Sequence, residues 1–230
     1  MTNSFVPKNN ISEEKFINYK IEYLIDKNDK ELMKSYLLKN KNNIYNSNLI
    51  KFYIDDYLQN YQPNKSCEIF ELFNFSEDNY ITKFKIFCLI NNNKREEAQL
   101  LYDLVLETGF RDDFFESKFN YLMEYNLNLD NKVSDTDILN LHLSHKTIPN
   151  FKYDTNENTP KFIWKYLSSS NLLEDIGEID LQDRKKILLI EKATHEKNYT
   201  EKELFELYKR FQFNINQLLN VKENYKSLES

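Results

Sequence analysis

His142 and His145 are the residues whose spacing comes closest to a metal site. Three residues apart on a helix, they share a face and could present two imidazoles to one ion. The loop after them contains no Cys or further His, and Asp137 lies earlier on the helix. The pattern therefore favours two surface histidines, and no metal site is predicted. His195 stands alone near a helix end, where a positive charge is favourable, and is interpreted as structural.

Neighbouring carboxylates could perform acid–base chemistry. Three such pairs occur: Asp55 and Asp56, Glu96 and Glu97, and Asp112 and Asp113. Each falls in the first turn or on the polar face of a predicted helix, where acidic side chains are common for structural reasons. Serine nucleophile elbows, glycine-rich phosphate loops and zinc-ligand spacings are absent from the sequence. No catalytic residue and no cofactor is predicted, and the chain is not expected to be an enzyme.

The two cysteines, Cys67 and Cys88, both lie on apolar faces of predicted helices. They could pack as two buried thiols. However, Cys67 lies about nine residues before a predicted turn at Ser76 and Cys88 about twelve after it, which brings them within one turn of each other in an antiparallel helix pair. We expect the two residues to be neighbours, and a disulfide between them is geometrically allowed. Such bonds are typical of oxidising compartments.

Aromatic residues offer two candidate binding features. Trp164 is the single tryptophan, but its helix is apolar nearly all round, which favours a core position over a partner anchor. Four tyrosines recur along the helices of the first half and could line a peptide groove: Tyr53, Tyr57, Tyr102 and Tyr121. The abundance of tyrosine in the whole chain could equally account for their positions.

Composition limits the fold and the class of partner. The 230 residues include only 2 Gly and 4 Pro, too few for the many tight turns of an all-β protein. The net charge is −6, and no basic stripe carries aromatic residues, so nucleic-acid binding is not predicted. No apolar run approaches the ~18 residues of a membrane span.

The stretch from Ile81 to Tyr125 is the most regular part of the sequence and predicts a helical hairpin followed by a third helix. Its second helix has one apolar face, and Leu100 and Leu104 form a further apolar row beside that face. A helix with two apolar rows is expected to be covered on both sides. Gly109 is expected to end this helix in a left-handed conformation.

Helix pairs recur along the first 130 residues. Their first helices are predicted to start near Glu13, Ser47, Asn79 and Asp112, a period of about 33 residues that is typical of helix-turn-helix repeats. Capping signals are predicted at five positions: Ser12, Asn28, Ser76, Thr159 and Thr200. The predicted fold is all-α, with an α-solenoid of tetratricopeptide-like antiparallel hairpins over 1–130 and a C-terminal helical bundle over 131–230.

This architecture favours a non-catalytic interaction or scaffold module, whose stacked hairpins present a concave surface to a protein or peptide. The alternative is a helical accessory domain of an enzyme whose catalytic part lies elsewhere. Several convergent polar groups with perturbed pKa values in one pocket would favour the alternative.

The end of the chain resembles a known family. The run from Trp164 through Glu203–Tyr208 to Phe213–Leu219 resembles uncharacterised alphaproteobacterial helical-repeat proteins, some of them labelled antifreeze glycopeptide-related. The hairpin at Phe87 and the stop at Glu107–Gly109 are similar to the middle of the same family. The resemblance implies packing motifs without a known active site. Family members tend to be longer and to begin with an export signal. As given, the chain is expected to be soluble and cytoplasmic; as a fragment of an exported precursor, it would be periplasmic.

Overall fold

The computed structural model describes residues 9–40, 47–71, 78–127, 131–212 and 219–220, and every regular element in those ranges is helical. The all-α prediction is therefore confirmed for this part of the chain. The α-helices are α1 (Glu13–Lys27), α2 (Lys30–Lys39), α3 (Ser47–Gln59), α4 (Pro63–Cys67), α5 (Asn79–Asn91), α6 (Arg95–Glu107), α7 (Asp113–Leu122), α8 (Ile138–Thr147), α9 (Lys161–Ser169), α10 (Arg184–His195) and α11 (Glu201–Lys209). Short 3-10 helices cover Glu68–Glu71 and Ile176–Glu178. Among these helices, none has the length and apolar character needed to cross a bilayer.

The chain divides into two compact units, Met1–Lys152 and Tyr153–Ser230. The sequence placed the boundary at 130 instead. The difference is α8, which packs against α3 and α7 and so belongs to the first unit. Because α8 is buried around most of its circumference, it is part of the core of that unit.

In the first unit, each odd-numbered helix packs against the next odd-numbered helix. α1 packs on α3, α3 on α5 and α5 on α7, and the hairpin partners α2, α4 and α6 pack on α1, α3 and α5. The first helices of the pairs begin at Glu13, Ser47, Asn79 and Asp113, which are 32 to 34 residues apart. The predicted starts are therefore correct to within one residue.

α8 lies against this row of first helices. It contacts α3 and α7, and the ring of His142 meets the ring of Phe87 on α5 edge-on at 5.1 Å. Leu139, Leu141 and Leu143 are fully buried. The surface of the row that α8 contacts is thus covered by the chain itself.

The second unit has its own core. Trp164 of α9, Ile190 of α10 and Leu207 of α11 pack together with the residues around the second 3-10 helix. The Tyr199 hydroxyl donates to the carbonyl oxygen of Glu174 at 3.1 Å. The Arg210 guanidinium donates to backbone carbonyl oxygens of the same connecting segment. These bonds satisfy backbone groups that the short connection leaves without helical partners.

Two of the predicted caps are confirmed and two are corrected. The Ser12 hydroxyl accepts from the Lys15 amide, and Thr200 forms a reciprocal capping box with Glu203. Asn28 instead ends α1 with φ 49°, and the next residue, Asp29, caps α2. A residue with positive φ terminates a helix and cannot also start one.

The second correction concerns Thr159. Its hydroxyl accepts from the Asn156 amide, while Pro160 occupies the N-cap position of α9 without a side-chain bond. Ser76 lies outside the described residues, and Asp78 caps α5. Gly109 has φ +90°, so it follows α6 in the expected left-handed conformation.

Candidate functional site

His142 and His145 were both predicted to lie at the surface, but His142 lies in the core. His142 is fully buried among aromatic rings, with Phe87 at 5.1 Å and Tyr61 at 6.0 Å. Burial, together with the nearby Lys146 and His145, lowers the pKa of His142 to about 3. His145 is half-buried and stacks on Tyr61 at 5.5 Å. The described residues contain no cluster of three or more His, Cys, Asp or Glu that could hold a metal. His142 is therefore a neutral core residue.

Cys67 and Cys88 are joined by a disulfide. Cys67 is the last residue of α4, Cys88 lies near the end of α5, and their Cα atoms are 5.5 Å apart. Both are nearly inaccessible to solvent. Because the two helices are consecutive along the chain, the bond fastens a hairpin helix of one pair to the first helix of the next pair.

Asp55 does not lie on the polar face to which the sequence assigned it. It points from α3 toward α5 and accepts a short hydrogen bond from the Tyr80 hydroxyl. Burial raises the pKa of Asp55 to about 6; the Tyr80 bond and Lys51 oppose this shift, and Asp137 adds to it. Burial and the Asp55 charge raise the pKa of Tyr80 well above its usual value. A backbone hydrogen bond from Leu139, at the start of α8, acts in the opposite direction and lowers this pKa. This pair therefore ties three helices together.

The remaining carboxylate pairs have structural roles or lie at the surface. Asp112 caps α7 and accepts from Lys83 at 2.9 Å. Burial by itself raises the pKa of Asp112, but the hydrogen bonds from the Phe115 amide and from Lys83 outweigh burial and lower this pKa. Asp56 pairs with Lys30 at 2.8 Å. Glu96 is exposed and borders an open hollow beside α6, which is described below.

Of the four tyrosines that could line a peptide groove, Tyr57 and Tyr121 are partly exposed. Tyr53 and Tyr102 are buried in the core, and Tyr102 packs on Phe119 with ring centroids 4.2 Å apart. Trp164 is also buried, in agreement with the core interpretation. Tyr125 is 60% exposed and faces solvent beside a hollow.

The outer face of α6 carries two exposed apolar side chains. Leu100 is 64% exposed and Leu104, one turn later, is 48% exposed. The sequence predicted that this second apolar row would be covered. Instead, α6 packs with Ala98, Tyr102 and Val105 inward and leaves the leucines in water. The two leucines lie one turn apart and form a small exposed apolar patch on α6.

An open hollow of about 510 Å³ adjoins Leu100, between α6 and the end of α7. Its apolar lining consists of Leu100, Met123 and Tyr125. Two acidic residues of α6, Glu96 and Asp103, lie on its rim. We call Leu104 and this hollow together the α6 surface.

Charges around the hollow are unevenly distributed. Arg95 donates to Glu124 at 2.6 Å, and this exposed pair is neutral as a whole. The Gln99 amide donates to Oδ1 of Asp103 at 2.7 Å and orients that carboxylate. Glu96 and Asp103 therefore give the rim an excess of negative charge.

The second unit contains a larger open hollow of about 860 Å³ between α11 and the segment before α10. Its lining is mixed, with Glu174, Glu203 and Glu206 beside Lys202 and Arg210. Arg210 donates to the backbone carbonyl of Ile176 in the 3-10 segment. Glu203 accepts from the backbone amide of Thr200 in the capping box. These residues explain the local fold and do not form a recognisable chemical site.

Sequence reasoning missed the α6 surface because the helix pattern does not reveal which of two apolar rows is covered. The available signal was the acidic residues interleaved with the outer row at Glu96, Asp103 and Glu107. Acidic side chains at helical spacing from Leu100 indicate a solvated face.

Comparison with known proteins gave no match: no family model, no curated protein and no solved structure is significantly similar to this chain.

Proposed function

We propose that this chain is a non-catalytic protein-interaction module, in which tetratricopeptide-like hairpins stack as an α-solenoid and a partner binds to the α6 surface. The period of 32 to 34 residues between first helices and the contacts of each first helix with the next support the solenoid arrangement.

The observation that carries the proposal is the exposure of Leu100 and Leu104. Each leucine that a partner covers contributes up to about 1.5 to 3 kcal/mol through removal of apolar area from water. The adjoining hollow allows a partner side chain to be enclosed, as happens at the energetic centres of protein interfaces.

The position of α8 favours the outer face of α6 over the covered faces of the first helices as a binding surface. A concave surface presented by the stacked hairpins was the expected binding surface, but α8 packs on α3 and α7 and, through His142, on Phe87 of α5. A peptide would have to displace a helix with many fully buried residues to reach those faces. The α6 surface requires no such rearrangement.

The Cys67–Cys88 disulfide supports an oxidising compartment, such as the periplasm, for this module. Non-reducing mass spectrometry of protein taken from its native compartment measures this directly. Free thiols in that sample would overturn the assignment.

A peptide-display selection against the purified chain tests the interaction function. Peptides that bind the wild type should bind the Leu100→Ser/Leu104→Ser variant at least about tenfold more weakly, because each loses an apolar contact. Leu188→Ser is the matched control, since Leu188 is 62% exposed on α10 and lies in the second unit. Both variants should unfold within about 0.5 kcal/mol of the wild type, because the replaced side chains are exposed. A selection whose binders are all insensitive to the double variant, or which yields no binder, would contradict the proposal.

A further inference from the structure

We infer that the hollow beside α6 receives an arginine side chain from the partner. This inference rests on the proposed function and identifies the chemistry of the residue that the α6 surface recognises. It is carried by the combination of an apolar lining, an acidic rim and an exposed aromatic ring in one hollow.

The apolar lining matches the stem of a long basic side chain. Leu100 and Met123 line the hollow, and Met123 is itself almost completely buried, so it forms a fixed base. Lysine and arginine place their methylene groups along apolar surface while the charged head remains at the polar edge. A purely aliphatic side chain would contact the same apolar lining but would offer no opposite charge to Glu96 and Asp103 on the rim.

The charge of the rim selects a cation. Glu96 and Asp103 lie two turns apart on the same face of α6, and both border the hollow. The one cation in its lining, Arg95, is bound to Glu124 at 2.6 Å. An acidic side chain entering the hollow would meet two like charges, and a basic one would meet two opposite charges.

Tyr125 favours arginine over lysine. Its ring lines the hollow and is 60% exposed, so a planar guanidinium can stack on it. The guanidinium also presents several N–H groups in a rigid fork that matches a carboxylate in a bidentate manner. The Asp103 carboxylate, which Gln99 orients through Oδ1, offers the acceptor for that fork.

Three synthetic peptides test the inference. They share the sequence Ac-Ala-Leu-Ala-Xaa-Ala-Leu-Ala-NH2, with arginine, lysine or the neutral isostere citrulline at Xaa. Binding is measured by titration while the methyl resonance of Met123 is followed by NMR, which reports on the hollow itself. We expect the arginine peptide to bind about tenfold more tightly than the citrulline peptide, with lysine between them, because two exposed charge pairs are gained.

Variants of the rim separate charge from shape. Glu96→Gln/Asp103→Asn should remove the preference for arginine over citrulline and leave the citrulline affinity unchanged. Tyr125→Ala should reduce the preference for arginine over lysine. Glu107→Gln is the matched control, because Glu107 is exposed on the same helix but does not line the hollow.

The outcomes distinguish this inference from the proposed function. Equal binding of the arginine and citrulline peptides, or an arginine preference that survives Glu96→Gln/Asp103→Asn, would overturn the arginine assignment while the leucine-dependent binding stands. If no peptide shifts the Met123 resonance and the display selection yields no Leu100-dependent binder, both proposals fail.

Discussion

Cys67 and Cys88 have their Cα atoms 5.5 Å apart and their sulfur atoms bonded, across a sequence separation of 21 residues. The bond holds α4 against α5, two helices that also pack on each other directly. It therefore fixes the junction between two successive helix pairs, at a point where both cysteines are buried.

Removing this bond should lower stability. For Cys67→Ala/Cys88→Ala we expect a loss of about 3 kcal/mol in the free energy of unfolding, because the unfolded chain is no longer constrained by a closed loop of this length. Urea unfolding followed by circular dichroism measures the change. Reductant should destabilise the wild type by a similar amount and leave the double variant unaffected; a wild type that is indifferent to reductant would show that the bond adds no stability.

Asp55 should make the protein more stable as the pH falls from 7 to 4. Its pKa is about 6 in the folded protein, mainly through burial, and about 3.9 when unfolded, so the folded state binds the proton more tightly. The stabilisation from protonation is complete below the unfolded pKa and is lost as the pH rises through 6.

The variant Asp55→Asn isolates this effect, because asparagine can still accept from Tyr80. Between pH 7 and 4 the wild type should gain about 2 to 3 kcal/mol relative to Asp55→Asn in chemical denaturation. Asp56→Asn, which changes the neighbouring residue paired with Lys30, serves as the control. A stability difference between wild type and Asp55→Asn that does not change with pH would contradict the assignment.

His142 should act in the opposite direction. Burial holds its pKa at about 3 in the folded protein, whereas an unfolded histidine titrates near 6.5, so acid favours the unfolded state. The stability that neutral His142 retains above pH 6.5 is lost as the pH falls toward 3.

Replacing His142 by Asn removes this titration. Relative to His142→Asn, the wild type should lose about 3 kcal/mol between pH 7 and 4, measured by urea unfolding at each pH. His195→Asn is the control, since His195 is exposed at the end of α10. Parallel pH profiles for the wild type and His142→Asn would show that the pKa of His142 is the same in the folded and unfolded states and would contradict this prediction.

Local features of the sequence determined where the helices are. The starts at Glu13, Ser47 and Asn79 and the caps at Ser12 and Thr200 follow from periodicity and from side chains that bond amides three residues away. Such interactions join residues within one helical turn, so they can be predicted from the local sequence. The proximity of Cys67 and Cys88 could also be predicted from the sequence, because two helices joined by a short connection run antiparallel.

Only the tertiary structure decided which apolar faces are covered. Periodicity identifies the row containing Leu100 and Leu104 as apolar, but whether a second element packs on that row depends on contacts distant in sequence. The placement of α8 against α3 and α7 is such a contact; it buries His142 and moves the boundary of the first unit to Lys152. The packing of α5 on α3 brings Tyr80 to Asp55 across 25 residues, and the outer face of α6 remains in solvent. A helix pattern records the chemistry of each face, whereas burial is a property of the whole packed unit.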